Sequence, residues 1–303
     1  MHDKAGHRKT FMALSVDVED WFHSENVKAA VPGNWAECES RVEANTMRIL
    51  QILANHGKPA TFFVLGWVAQ RFPRLVREIV DGGHEIASHG YRHELVYALS
   101  AEKFRQDVLR SKCLLEDLSG RTVKGYRAPC FSITPWAIDV LKECGFAYDS
   151  SMVPSLAHDR YGRISGIAAS RPVFSLAEGF YEICVSCRPC GSRGIPWGGG
   201  GYFRLLPYPV WRQGIRAIVA GGLPYVFYIH PWDMDPGQPR VSSVKWGNSF
   251  RQQVGLTRCE QRFESLVAEF DWMTLAGLLE SWREHANLGA ANRAGMSRPG
   301  IAA

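Results

Sequence analysis

The chain has 303 residues, 46% of them apolar and 12% aromatic, the composition of a folded globular protein with room for one large domain. Thirty-five Lys and Arg against 30 Asp and Glu give a net charge of +5. That excess is scattered and forms no basic stripe, so nucleic-acid binding is not indicated. No stretch approaches the ~20 apolar residues of a membrane span. The short apolar run behind the basic N-terminus ends in acids where a signal peptide would carry small residues, so a cytoplasmic, at most membrane-peripheral, protein is expected.

In chain order, strand-like and helix-like segments alternate. Behind a tail over residues 1–10, residues 11–16 read as a strand. Residues 39–56 carry Val42, Ile49, Leu50 and Leu53 at helical spacing and stop at Gly57, and 59–65 form the next strand. A helix over 73–81 is opened by Pro73 and closed by Gly82-Gly83, then a short strand runs through Ile86. Residues 100–119 are amphipathic through Phe104, Val108, Leu109, Leu115 and Leu118, and 123–126 read as a strand. Thr134-Pro135 looks like an N-cap and first helical position, with that helix ending at Gly145.

Residues 155–200 lack periodicity and predict long loops with one or two strands. Cys184, Cys187 and Cys190 lie there without a fitting fourth ligand, so they read as strand cysteines and not as a cluster site. A helix over 207–219, a buried strand over 225–229 and one or two closing helices over 259–285 complete the domain; 286–303 is expected to be a disordered tail.

Such alternation implies parallel βαβ units. Asp17, His89, Arg127 and His230 all fall at strand C-termini. Side chains gathered from many strand ends over one face are what a barrel site requires, whereas an open sheet collects them at one switch point. One α/β barrel domain over 11–285 with a helical C-terminal closure is therefore expected.

The chemistry concentrates in Ser88-His89-Gly90-Tyr91-Arg92-His93 and the upstream acids Asp17-Val18-Glu19-Asp20. Two imidazoles four residues apart, on one helical turn or in a tight loop, form with a carboxylate a three-ligand site for a divalent ion such as zinc. Three protein ligands leave positions open for water, the condition for hydrolysis. The acidic ligand is Glu19, which shares a strand face with Asp17, or Asp20 if the strand has already turned.

Five motifs in order extend this: Val16-Asp17-Val18-Glu19-Asp20-Trp21, the histidine run, Gly125-Tyr126-Arg127-Ala128-Pro129, Tyr148-Asp149-Ser150-Ser151 and Tyr228-Ile229-His230-Pro231-Trp232. With them the chain resembles the polysaccharide deacetylases of carbohydrate esterase family 4, the NodB-homology group. The glycine-rich Pro196-Trp197-Gly198-Gly199-Gly200-Gly201-Tyr202-Phe203-Arg204 is similar to the subgroup associated with exopolysaccharide and exosortase loci. The resemblance implies a distorted (β/α)7 barrel and metal-dependent removal of N-acetyl groups from a polysaccharide or a lipid-linked oligosaccharide precursor.

The same resemblance implies roles. Asp17 is the base, Arg127 its orienting partner, and His89 and His93 metal ligands with Glu19 or Asp20, the ion being zinc or another divalent such as cobalt. His230 is the general acid, with Asp149 as its acidic partner and Asp233 as the local alternative. A backbone N–H of Cys130 or Phe131 stabilises the oxyanion. Tyr202, Arg204 and Trp232 are substrate contacts, and the four glycines form either a close backbone approach to a sugar or a plain turn. A small-molecule amide hydrolase of the same barrel and a catalytically silent carbohydrate-binding protein are the competing functions.

Overall fold

The computed structural model describes residues 11–155, 162, 172–190 and 193–295. The expected tail over 1–10 lies outside them. Ten strands are present among the described residues: β1 (Met12–Val18), β2 (Thr61–Val64), β3 (Glu85–Ser88), β4 (Gly125–Tyr126), β5 (Tyr148–Asp149), β6 (Val173–Ala177), β7 (Phe180–Ile183), β8 (Cys187–Cys190), β9 (Arg193–Pro196) and β10 (Tyr225–Ile229). Eight form one sheet in the order β10-β1-β2-β3-β4-β5-β7-β6. Seven of these are parallel, and β6 returns antiparallel beside β7.

The sheet is curled into a distorted (β/α) barrel whose gap lies between β7 and β10. Irregular backbone bridges that gap: Ser186 N–H donates to Val226 O (3.2 Å) and Tyr228 N–H to Gly198 O (2.7 Å). The glycine-rich run explains itself here. A Cβ on Gly198 would lie 2.4 Å from Val226 O, and one on Gly200 would lie 2.3 Å from Asp233 Oδ2. Gly198 and Gly200 let the chain close against β10 and the turn after it, while Gly201, with nothing within 4 Å of a built Cβ, lines the cavity. A short helix, Gly200–Leu205, starts inside the run where only a turn or loop was expected.

Strand alternation sorts the side chains. On β1, Leu14, Val16 and Val18 join the large core between sheet and helices. The odd residues point the other way, with Ala13 in a second core formed with Phe63, Ala87 and Val226. Leu275, Leu278 and Leu279 of the last helix join this inner core and plug the lower end of the barrel. Glu85 and Thr61 fix that plug: Ala276 N–H donates to Glu85 Oε2 (3.1 Å) and Leu275 N–H to Thr61 Oγ1 (2.7 Å), satisfying helix N-terminal donors. Ascending β1 on the inner face therefore runs from apolar Ala13 through Ser15 to Asp17.

The helices over Val42–Asn55, Pro73–Asp81, Ala101–Ser119, Pro135–Glu143 and Tyr208–Ala220 fall where periodicity and proline predict them. Thr134 precedes Pro135 but makes no side-chain capping bond. Three features differ from expectation. The 155–200 region carries four strands in its described part, because a hairpin (β6–β7) and a ribbon (β8–β9) pair locally without an alternating apolar pattern. The helix Trp246–Gln253 has no sequence signal, its one buried residue being the polar Gln252. The final helix spans Leu275–Gly295, beyond the expected start of a disordered tail at 286, since its Ala- and Leu-rich composition favours helix; residues 296–303 lie outside the described ones. Among the described residues no helix is long and apolar enough to cross a membrane.

Candidate active site

The strand C-termini open into a cavity of about 540 Å³ lined by Asp17, Glu19, His89, His93 and His230 among others. β1 ends at Val18, and the chain turns through Glu19 into a 3-10 turn, Trp21–His23. Asp20 caps that turn and does not enter the cavity: Oδ1 accepts from Trp21 N–H (2.9 Å), and Oδ2 accepts from Ser40 Oγ (2.7 Å), Arg41 N–H (2.8 Å) and Val42 N–H (3.1 Å). A carboxylate already holding four donors is spent on the fold, so Asp20 is excluded as the acidic ligand. Glu19 takes that place, its Oε2 lying 2.5 Å from His93 Nε2 and 3.8 Å from His89 Nε2.

A loop and not a helical turn brings the two histidines together. Gly90 (φ 73°) and His93 (φ 51°) are both left-handed. His89 Nδ1 donates to Arg127 O (2.8 Å), which fixes the tautomer and leaves Nε2 as a free lone pair facing Glu19. Burial pulls the His89 pKa down to about 4, keeping the ring neutral as metal ligation demands. For Glu19, burial opposes ionisation, but His93, His230 and His89 outweigh it and hold the carboxyl below its usual range. Atoms of Glu19, His89 and His93 able to ligate lie within 4.8 Å of one another, all three side chains buried. Two imidazole nitrogens and one carboxylate oxygen fit a zinc-type divalent ion with open positions.

Arg127 is fully buried and joins three strand ends. Its Nη1 donates to Asp17 Oδ1 (2.6 Å) and Ser15 Oγ (2.9 Å), its Nε to Ser150 O (2.9 Å) and its Nη2 to Ser150 Oγ (2.9 Å). Its guanidinium lies 4.1 Å from the centroid of the Phe63 ring.

On the other side of Glu19, His230 Nε2 lies 3.5 Å from Glu19 Oε1 and 4.0 Å from Asp17 Oδ2. His230 Nδ1 faces Asp233 Oδ2 at 3.1 Å, and the same oxygen accepts from His230 N–H (2.9 Å). Asp233 in turn pairs with Arg204 Nε at 2.7 Å. Burial alone would lower the His230 pKa, but the Asp233 hydrogen bond and the charges of Glu19, Asp233 and Asp17 push it up to about 9. Burial would raise Asp233, yet Arg204 and His230 hold it below its ordinary value.

Two expected assignments are corrected here. Asp149 is not the partner of His230; it faces Glu182 across the β5–β7 register and accepts from Ser151 Oγ at 2.5 Å. Asp233 reaches the imidazole instead because it lies three residues on in the same turn. Arg204, expected as a substrate contact, borders the cavity but is 2% exposed, and its donors go to interior partners. Besides Asp233 it donates to the carbonyls of Arg251 (2.8 Å), Gln252 (3.2 Å) and Val254 (2.6 Å).

Trp232 lines the cavity, but its ring stacks on His230 (centroids 4.5 Å, 18°) and its Nε1 donates to Glu19 Oε1 (3.2 Å). Its contacts thus orient His230 and Glu19. Tyr202, Cys130 and Phe131 also line the cavity. Phe131 N–H donates to Ala128 O (2.9 Å) and so is already engaged within the turn. The non-glycine residues with positive φ among those described are His93, Cys130 (φ 50°) and Phe131 (φ 57°), and all three line this cavity. Backbone strain of that kind persists where surrounding contacts over-determine it, as at functional sites.

The sequence reading passes over His23. It is fully buried, its Nδ1 accepts from Asp20 N–H (2.9 Å), and its ring stacks 6.1 Å from that of His93. The Asp20-x-x-His23 spacing, that of a capping box, is the signal that could have found it. Ser15 and Glu182 carry no motif of their own and become visible only through Arg127 and Asp149.

Residues 35–148 match the family model described as polysaccharide deacetylase, and residues 150–280 match one described as a domain of unknown function, DUF3473. Asp17 and Glu19 thus precede the first match, and His230 and Asp233 fall in the second. A peptidoglycan deacetylase of Helicobacter pylori is 34% identical over 111 residues, 37% of this chain and 38% of that protein. A chitooligosaccharide deacetylase of Sinorhizobium fredii is 36% identical over 97 residues, 32% of this chain and 44% of that protein. The chain therefore matches less than half the length of these curated relatives. Among solved structures, a Mycobacterium smegmatis protein assigned to the polysaccharide deacetylases superposes with a TM-score of 0.62 at 21% identity over 94% of both chains. The peptidoglycan deacetylase PdaC of Bacillus subtilis gives 0.52 at 14% identity over 94% of this chain and 97% of that one. Both likenesses are of fold. Residues 35–148 are thus similar to the polysaccharide deacetylases, and the described chain shares the fold of solved members of that group.

Proposed function

We propose that the protein hydrolyses the acetamido group of an N-acetylated sugar within a polysaccharide or its lipid-linked precursor, and that it belongs to the exopolysaccharide-locus subgroup of its family. The observation that carries the activity is the placement of Asp17 and His230 about the Glu19–His89–His93 cluster, with His230 Nε2 4.0 Å from Asp17 Oδ2. A divalent ion held by that cluster would supply Lewis acidity and lower the pKa of an attacking water.

Asp17 has one oxygen committed to Arg127 and a second, Oδ2, turned toward His230, where it takes the proton of the water as oxygen adds to the acetyl carbon. Arg127, Ser15 and Phe63 fix its position and exclude solvent behind it. The Cys130 N–H, in its left-handed turn, is the donor for the developing oxyanion. His230, held by Asp233 through Nδ1, donates its Nε2 proton to the departing nitrogen as the C–N bond breaks, giving acetate and a free amine. Trp232 keeps the imidazole plane fixed by stacking.

The test is acetate release from N-acetylglucosamine oligomers by the purified protein, with and without a chelator, beside the His89→Ala variant. Release is expected from the parent alone. Undiminished release under chelation and in the variant sinks the proposal.

A further inference from the structure

The helix Trp246–Gln253 is patterned inside out. Its one buried side chain is Gln252, which accepts from Ser24 Oγ (3.0 Å) and donates to Gln238 Oε1 (2.8 Å). Arg204 grips the carbonyls at the helix end, so the element is firmly seated. The aromatic side chains point away from that seat. Trp246 is 81% exposed and Phe250 45% exposed, one helical turn apart, their rings stacked at 5.6 Å and 19°. A helix that buries an amide and exposes two aromatics forgoes hydrophobic stabilisation, a pattern expected where apolar surface is kept for a ligand. Both rings line the cavity that holds His89, His93 and His230. The same cavity is lined by Ser24, Glu25 and Asn26, which add hydroxyl, carboxylate and amide groups beside the helix.

We propose that Trp246 and Phe250 form a stacking platform for a sugar unit neighbouring the one deacetylated, so that the substrate is a glycan chain several units long; this rests on the deacetylase reading above. A pyranose presents a flat face of C–H groups and a rim of hydroxyls. The face fits the paired rings and the rim fits Ser24, Glu25 and Asn26, the mixture of apolar wall and few polar groups that small-molecule sites use. A lipid chain would press hydrocarbon against the Glu25–Lys28 ion pair (2.8 Å), at a desolvation cost that a hydroxyl rim does not impose. A second protein copy would need roughly 800 Å² per partner, far more than two side chains offer.

The test compares N-acetylglucosamine oligomers of two and six units on the parent protein, Trp246→Ala, Phe250→Ala and Trp246→Phe. The ratio of kcat/KM for the hexamer to that for the dimer should fall about tenfold in Trp246→Ala, equivalent to about 1.4 kcal/mol. It should fall less in Phe250→Ala and be largely restored in Trp246→Phe. Quenching of tryptophan fluorescence by the hexamer should weaken in parallel. A parent that binds the hexamer through Trp246 yet releases no acetate defeats the deacetylase reading and leaves the platform standing. Unchanged ratios and unchanged hexamer binding in both alanine variants overturn the platform alone. So does loss of self-association or of vesicle binding in Trp246→Ala with hexamer binding intact. A parent that neither binds nor hydrolyses the hexamer overturns both.

Discussion

Replacing Glu182 with glutamine probes a buried pair of acids behind the site. Asp149 and Glu182 are both fully buried and face each other across the β5–β7 register. Ser151 Oγ donates to Asp149 Oδ1 and Met152 N–H to Glu182 Oε1 (2.8 Å). Asp149 Oδ2 and Glu182 Oε2 receive no hydrogen bond from any N–H or hydroxyl, so one acid must stay protonated to bond the other. Burial, then the charge of Asp149, pushes Glu182 well above the carboxylate range, and burial raises Asp149 to about 6. Unfolded, both lose their protons above about pH 4 to 5. From about pH 7 to 8 the folded chain thus keeps one proton that the unfolded chain has lost, and stability falls by about 1.4 kcal/mol per pH unit. In Glu182→Gln the amide donates to Asp149 with no proton to lose, so that slope disappears. Other titrations are common to both proteins and cancel in the difference. Urea unfolding of parent and variant over this range should show the variant gaining about 1.4 kcal/mol relative to the parent for each pH unit. A constant offset between the two curves would refute the shared proton.

The choice between adjacent acids is open to a metal titration. Glu19→Gln should weaken zinc binding by more than about 100-fold, beyond the usual loss from an outer partner, as read by competition with a chelating dye. Asp20→Asn should leave zinc affinity intact and cost about 1–3 kcal/mol of stability through broken caps; the opposite ranking would reverse the assignment. Arg127→Met leaves the Asp17 charge buried and unpaired, so a loss of about 3–5 kcal/mol is expected in thermal unfolding, and a negligible loss would show Asp17 to be otherwise compensated. Asp233→Asn should lower kcat on oligomers by about 100-fold or more with little change in KM, while Asp149→Asn does far less; equal effects would mean Asp149 does reach the acid.

Most of the barrel was legible because its helices carry apolar periodicity bounded by proline and glycine, and its parallel strands are short runs between them. The 155–200 region was not: only β7 joins the parallel sheet, beside β5, while β6, β8 and β9 pair with near neighbours in the chain. The helix at 246–253 was hidden for the reason that makes it informative: its aromatics face outward. At the site, Asp17, His89, His93, Arg127 and His230 were readable as residue types with a chemical purpose at strand ends. The choice between Glu19 and Asp20 depended on where β1 turns, a matter of one residue that no pattern specifies. The partner of His230 depended on a three-residue turn, which favoured Asp233 over the more distant Asp149. Arg204 stands in a glycine-rich run that looks like surface, and only the close approach of Gly200 to Asp233 reveals it as an interior ion pair.

Two buried arginines give the site its rigidity, by the same device used twice. Arg127 orients His89 through its backbone carbonyl and Asp17 through its side chain, while bonding Ser150 just after β5. The candidate metal ligand and the candidate base therefore cannot shift independently. Arg204 pairs with Asp233, which fixes His230, and its remaining donors hold the end of the helix bearing Trp246 and Phe250. The candidate acid is thereby mechanically joined to the rim of the cavity. Lysine could serve neither position, since one ammonium lacks the planar fork that reaches two or three acceptors at fixed angles. Substitution by lysine should thus loosen each connection while keeping its charge: at 127 between Asp17 and His89, at 204 between His230 and the rim.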